Sequence, residues 1–119
     1  MINDIQVSPH FKLREFQCRC CGAVKLSPEL LAMLELVRAA WGGPLVITSG
    51  YRCPSHNKAI GGAARSLHMS GVAADISASG RDQARLREIA EYAGFTEVIC
   101  GGVKNYLHVG CKNPIKQSV

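Results

Sequence analysis

The stretch Ser66-Leu67-His68-Met69-Ser70-Gly71-Val72-Ala73-Ala74-Asp75 sets the reading of this chain, and it is answered far downstream by Tyr106-Leu107-His108-Val109-Gly110. A histidine, a carboxylate seven positions on and a distant second histidine supply two imidazoles and one carboxylate. That is the ligand set of a catalytic zinc site that keeps its fourth position for water. The first expectation is therefore a zinc hydrolase with His68, Asp75 and His108 on the metal.

Working outward, residues 72–77 read as a strand that holds Asp75, with His68 just ahead of it. Residues 95–100 and 106–111 read as two further strands, joined by Gly101-Gly102-Val103-Lys104-Asn105, so His108 sits mid-strand. Side chains alternate between the faces of a strand with period two. Tyr106, His108 and Gly110 then share one face, Leu107, Val109 and Cys111 the other, and Ala73, Asp75 and Ser77 share a face of the earlier strand. Two ligand-type residues inside otherwise apolar strands are costly unless something satisfies them, which favours a metal over three unrelated polar residues.

The rest of the chain alternates helices with short strands and has no repeats, which is α+β organisation with a small central antiparallel sheet packed by helices. Ser27-Pro28 opens a helix with serine as cap and proline at its first position. Leu30, Leu31, Leu34, Val37 and Trp41 recur on one face of it, and Gly42-Gly43 stops it. Pro44-Leu45-Val46-Ile47-Thr48 reads as a buried strand delivering Ser49-Gly50-Tyr51-Arg52-Cys53-Pro54 into a loop, where function often resides. A short helix is expected over 54–60. Another follows the capping-box-like Ser79 to Asp82 and buries Leu86, Ile89, Ala90 and Ala93 before Gly94.

At 119 residues the chain is one domain, 1–119. Hydrophobic residues are 47% and charged residues 19%, and no apolar run approaches the roughly 18 residues of a membrane span. Met1-Ile2-Asn3-Asp4-Ile5-Gln6 lacks a basic segment followed by an apolar one, so the expectation is synthesis in a cytoplasm without a signal peptide. The net charge of +5 favours an anionic partner. Its basic residues are scattered, Lys112 and Lys116 among them, and form no stripe of the kind a nucleic-acid reader shows.

The six cysteines divide into a cluster, Cys18, Cys20 and Cys21, and three isolated residues, Cys53, Cys100 and Cys111. Without a signal peptide a disulfide framework is not the default. Cys18-x-Cys20-Cys21 is tighter than a Cys-x2-Cys zinc knuckle and needs another thiolate, such as Cys53, for a tetrahedral site. Small buried thiols in a tight loop are the preferred reading. Cys100 and Cys111 flank the last hairpin and either face one another or are two unconnected core residues.

Ser49-Gly50-Tyr51-Arg52-Cys53-Pro54-Ser55-His56-Asn57, Gly61-Gly62-Ala63, the Ser66 to Ile76 stretch and Leu107-His108-Val109 together resemble the zinc D-Ala-D-Ala carboxypeptidase family. That family includes phage L-alanyl-D-glutamate endopeptidases and shares its fold with the amino-terminal domain of hedgehog proteins. The resemblance extends to Phe11-x-x-x-Glu15-Phe16-x-Cys18-x-Cys20-Cys21-Gly22, a segment typical of small phage-associated members. It implies Zn2+ on His68, Asp75 and His108, and Arg52 as the cation that holds a substrate carboxylate or steadies the developing oxyanion. It also implies that Ser66 orients a ligand, with a structural role for His56 and Asn57. The implied setting is phage or prophage lysis by a monomer that acts on peptidoglycan at the cell wall, with neither nucleic acid nor membrane insertion.

The chain departs from the pattern where the family carries its proton acceptors. An acid three residues before the last histidine is replaced by Asn105, a histidine two before it by Tyr106, and an acid two after it by Gly110. An amide takes no proton and neutral tyrosine is a poor base, with an ordinary pKa near about 10. No general base is assigned, and Glu97 on the preceding strand reads as a solvated carboxylate. Besides a zinc peptidase cutting a D-Ala-D-Ala or L-Ala-D-Glu bond, the sequence therefore keeps open a non-catalytic, zinc-stabilised module that binds cell wall or protein. A cysteine-zinc nucleic-acid module is a distant third.

Overall fold

In a computed structural model of the chain, residues 3–111 are described; Met1, Ile2, Lys112 and Lys116, which entered the sequence reading, lie outside the described residues. A short hairpin, β1 (Gln6–Ser8) with β2 (Phe11–Lys12), leads into a 3-10 turn, Leu13–Phe16, and then an irregular cysteine-bearing segment. Helix α1 (Pro28–Trp41) follows, then β3 (Ile47–Ser49), α2 (Pro54–Ala59), a 3-10 turn Leu67–Ser70, and β4 (Ala73–Ser77). Helix α3 (Gly80–Ala93), β5 (Glu97–Cys100), a 3-10 turn Gly102–Lys104 and β6 (Tyr106–Gly110) complete the order. The main sheet is antiparallel throughout, in the order β3-β4-β6-β5.

Helix α1 begins and ends where its sequence dictates. The Ser27 hydroxyl accepts from the amides of Glu29 and Leu30 at 3.1 and 3.2 Å, which satisfies two of the orphan donors of the first turn. Pro28, at the first helical position, has no amide to satisfy. Gly42 closes the helix in the left-handed region, φ 81°, and its amide donates to the Arg38 carbonyl. Leu30, Leu34 and Val37 are buried on the inward face, with Leu31 and Trp41 packed at its margin. Helix α3 is capped by Ser79, whose hydroxyl accepts from the Asp82 amide, and it buries Leu86 and Ala90. Each fully buried leucine contributes about 1.5–3 kcal/mol to the core.

The sheet has one apolar face and one polar face. Ala74 and Ile76 of β4 and Leu107 and Val109 of β6 point into the core with Leu34, Leu86 and Ala90. By strand alternation Asp75 and His108 point the other way, and the register sets them directly opposite one another. The close-packed face thus holds a rigid platform on which two ligand-type side chains meet.

Three expectations need correction. The strand expected over 44–48 forms at 47–49 instead, at the sheet edge with an irregular register, and Val46 is 61% exposed rather than buried. Cys100 and Cys111 do not face one another, because Cys100 lies opposite Leu107 while Glu97, at the other end of β5, lies opposite Gly110. They are not two core residues either, because Cys100 is exposed although it lies opposite the core-facing Leu107, and Cys111 alone is buried. Nor are the clustered cysteines simply buried thiols, since Cys20 and Cys21 are exposed.

Candidate metal centre

His68 stands in the 3-10 turn that Ser66 caps through the His68 amide, and only 1% of it is exposed. Its Nδ1 lies 2.7 Å from the Gly50 carbonyl oxygen. A carbonyl only accepts, so Nδ1 carries the proton and Nε2 presents a lone pair. Gly50 reaches this position because it has no side chain. A Cβ there would lie 2.5 Å from the Phe16 Cα and 2.7 Å from its carbonyl oxygen, while the next amide, of Tyr51, donates to that oxygen.

His108 is held in the complementary way. Its Nε2 lies 2.6 Å from Glu97 Oε1, so the proton held by the carboxylate is on Nε2 and Nδ1 faces the centre. His68 Nε2 and His108 Nδ1 are 3.3 Å apart, and Asp75 Oδ1 lies 3.3 Å from the first and 2.9 Å from the second. Four-coordinate zinc with bonds of roughly 2.0–2.1 Å needs donor atoms about 3.3 Å apart. The residues fit that ion: three lone pairs converge on one point, and each imidazole has its other nitrogen tied to an acceptor.

The electrostatics agree with a centre built for positive charge. Burial raises the Asp75 carboxyl, but the neighbouring His108 and His68 imidazoles outweigh it and bring the pKa down to about 2. Burial pushes His108 down, and its bonds to Asp75 and Glu97 reverse that and carry it above the ordinary histidine value. A proton on His108 satisfies the same convergent lone pairs that a metal cation would.

A cavity of about 330 Å³ opens over this centre, lined among others by Arg52, Arg65, His68, Asp75, Tyr106 and His108. The Arg52 amide donates to the His68 carbonyl at 3.2 Å, which pins the loop after β3 to the histidine turn. Its guanidinium donates through Nη2 to the Ser66 hydroxyl, 3.2 Å away, while Nε is buried without a partner among the described residues. An unpaired buried donor on a charged group is costly and invites an acceptor from a ligand.

A family model described as Peptidase M15 matches residues 9–110. The chain belongs to the peptidase M15 family. It is similar to a zinc D-Ala-D-Ala carboxypeptidase of Streptomyces albus G, with 37% identity over 70 residues, which make up 58% of this chain and 28% of that protein. The match thus spans less than a third of the relative's length.

In this M15 family member His68, Asp75 and His108 come together and Arg52 shares their cavity. Ser66 accepts from the Arg52 guanidinium and from the backbone amide of His68, so it sits on the turn that carries a ligand. Asn57 is buried and donates to the Ala63 carbonyl, which holds the loop before the histidine turn. The reading of Glu97 as a solvated carboxylate is overturned by its contact with His108. The signal was in the hairpin register, which puts Glu97 across from Gly110, on the face of His108.

Proposed function

We propose that this chain, as one domain over residues 1–119, hydrolyses a peptide bond in peptidoglycan stem peptides with zinc held by His68, Asp75 and His108. The observation that carries the reading is the convergence of three metal-donor atoms, none more than 3.3 Å from another, beside a buried guanidinium nitrogen in need of an acceptor. The cofactor is zinc, which suits two imidazoles and a carboxylate and is named in the Streptomyces albus G relative. When bound, zinc lowers the pKa of a coordinated water towards neutrality and polarises a carbonyl.

The chain's own side chains supply the rest. Arg52, steadied by Ser66, offers its guanidinium to a substrate carboxylate or to the negative charge growing on the scissile carbonyl oxygen. Arg65 adds a second cation to the cavity lining. Both bonds under consideration, D-Ala-D-Ala and L-Ala-D-Glu, lie beside a carboxylate, which suits two arginines. The cysteine-bearing amino-terminal segment, like that of small phage-associated relatives, supports a lytic setting at the cell wall.

Glu97 acts as a positioning residue, keeping the Nε2 proton of His108 in place so that Nδ1 faces the metal. Glu97→Ala is expected to lower zinc affinity by about 10–100-fold, as losses of such supporting partners do. Glu97→Gln, whose amide oxygen also accepts from Nε2, retains most of it. Chelator competition at fixed pH measures both, and equal affinity in wild type and Glu97→Ala would remove this role.

Synthetic stem peptides containing both bonds test the activity itself. Zinc-loaded protein is expected to release one defined product pair, with release stopping on chelation and returning with added zinc. One observation favours a second reading, a zinc-stabilised wall-binding module: both carboxylates lining the cavity, Asp75 and Glu97, are engaged by imidazoles. Binding of the peptides without any cleavage by the zinc-loaded chain would establish that alternative.

A further inference from the structure

Cys18, Cys20, Cys21 and Cys53 bring four sulfur atoms within 4.8 Å of one another, well away in sequence from the histidine centre. Cys20 Sγ lies 3.6 Å from Cys18 Sγ and 3.3 Å from Cys53 Sγ, and all four thiols are free. These separations exceed the roughly 2.05 Å of a disulfide. They approach the spacing of about 3.8 Å between thiolates on a tetrahedral zinc with bonds of about 2.3 Å.

The backbone around the sulfurs is arranged to support negative charge. The Cys53 amide donates to Cys18 Sγ and the His56 amide to Cys53 Sγ, each at 3.4 Å. The loop carrying three of the cysteines is closed by the Cys18 amide on the Ala23 carbonyl, 2.7 Å, and the Gly22 amide on the Cys18 carbonyl, 2.9 Å. That turn folds Cys18, Cys20 and Cys21 around one point and leaves the fourth corner to Cys53, 33 residues beyond Cys20.

We propose that Cys18, Cys20, Cys21 and Cys53 bind a second zinc ion, a structural one, that ties the amino-terminal segment to the loop carrying Arg52. Four sulfurs leave no corner for water, which distinguishes this site from the three-donor centre. Loading it releases to solvent the protons still held by the four thiols and changes no oxidation state. The segment between the Leu13–Phe16 turn and α1 has no helix or strand of its own, and a closed metal site supplies folding energy there. Because Cys53 adjoins Arg52, the same ion fixes where the Arg52 loop ends and α2 begins.

Metal analysis of the full chain, purified with zinc under reducing conditions, tests this. Wild type is expected to hold two zinc ions per chain, Cys20→Ser one, His108→Ala one, and the double variant none. Cobalt-substituted wild type should show the near-ultraviolet thiolate-to-metal charge transfer that imidazole and carboxylate ligands do not give, and Cys20→Ser should lose it. If Cys20→Ser does not fold, alkylation of native wild type decides instead. Exposed Cys100 is labelled at once, whereas Cys20 and Cys21 are labelled only after chelation. One zinc that disappears with His108→Ala, immediate labelling of Cys20, bound iron in place of zinc, or a mass two hydrogens short would each overturn the proposal. The histidine-centre zinc is counted separately, so this site can fail without affecting the peptidase reading.

Discussion

His108→Ala empties the three-donor centre and lowers peptide hydrolysis by roughly a thousandfold or more. The reason is the number of tasks that converge on this side chain. It supplies one of three donor atoms, it is opposite Asp75 in the register, and it is the partner of Glu97. A metal worth about 4 kcal/mol in the transition state corresponds to about a thousandfold in rate. The substitution leaves the core intact, because Leu107 and Val109 face inward on either side of it while the His108 side chain lines the cavity. Zinc content, circular dichroism and the hydrolysis rate measured on one preparation check the prediction. Unchanged hydrolysis in a folded, metal-depleted variant would contradict it.

Arg52→Ala carries the second largest effect, a loss of roughly 100–1,000-fold in kcat/KM with zinc content unchanged. Arg52 combines a buried Nε that has no partner among the described residues with an Nη2 fixed on Ser66, so its position is set before substrate arrives. Arg52→Lys keeps a charge but loses the planar fork, and recovers only part of the loss. A carboxylate-binding role moves KM, whereas a role in steadying the carbonyl oxygen moves kcat. Activity equal to wild type in Arg52→Ala would remove Arg52 from the site.

Much of the scaffold was legible because it follows from local rules. Ser27, Pro28 and Gly42 mark α1 at both ends by capping chemistry alone. Alternation in 106–111 separates the core-facing Leu107 and Val109 from His108, and Asp75 shares the polar face for the same reason. Strand β3 was less legible: at the sheet edge, one-sided pairing shortens the ladder, and Val46 has no layer to bury it.

What escaped the sequence reading depends on contacts across elements. Glu97 is 11 residues from His108 and reaches it only through the β5–β6 register. The absent side chain at Gly110 makes room for Leu67, since a Cβ there would lie 2.8 Å from Leu67 Cδ1. Glu97 thus lies across the ladder from Gly110, the position at which the sequence resemblance implies an acid. The closeness of Cys53 to Cys18 and Cys20 likewise depends on the Phe16 backbone packing against Gly50, which no spacing rule records.

The central claim is a zinc-dependent cut in a wall peptide. Mass spectrometry of fragments released from purified peptidoglycan by zinc-loaded wild type, with His108→Ala in parallel, tests it most directly. The account predicts fragments with new termini at one stem-peptide bond from wild type and none from His108→Ala. Equal release by both proteins, or zinc-loaded wild type that frees nothing from any wall type, would contradict it.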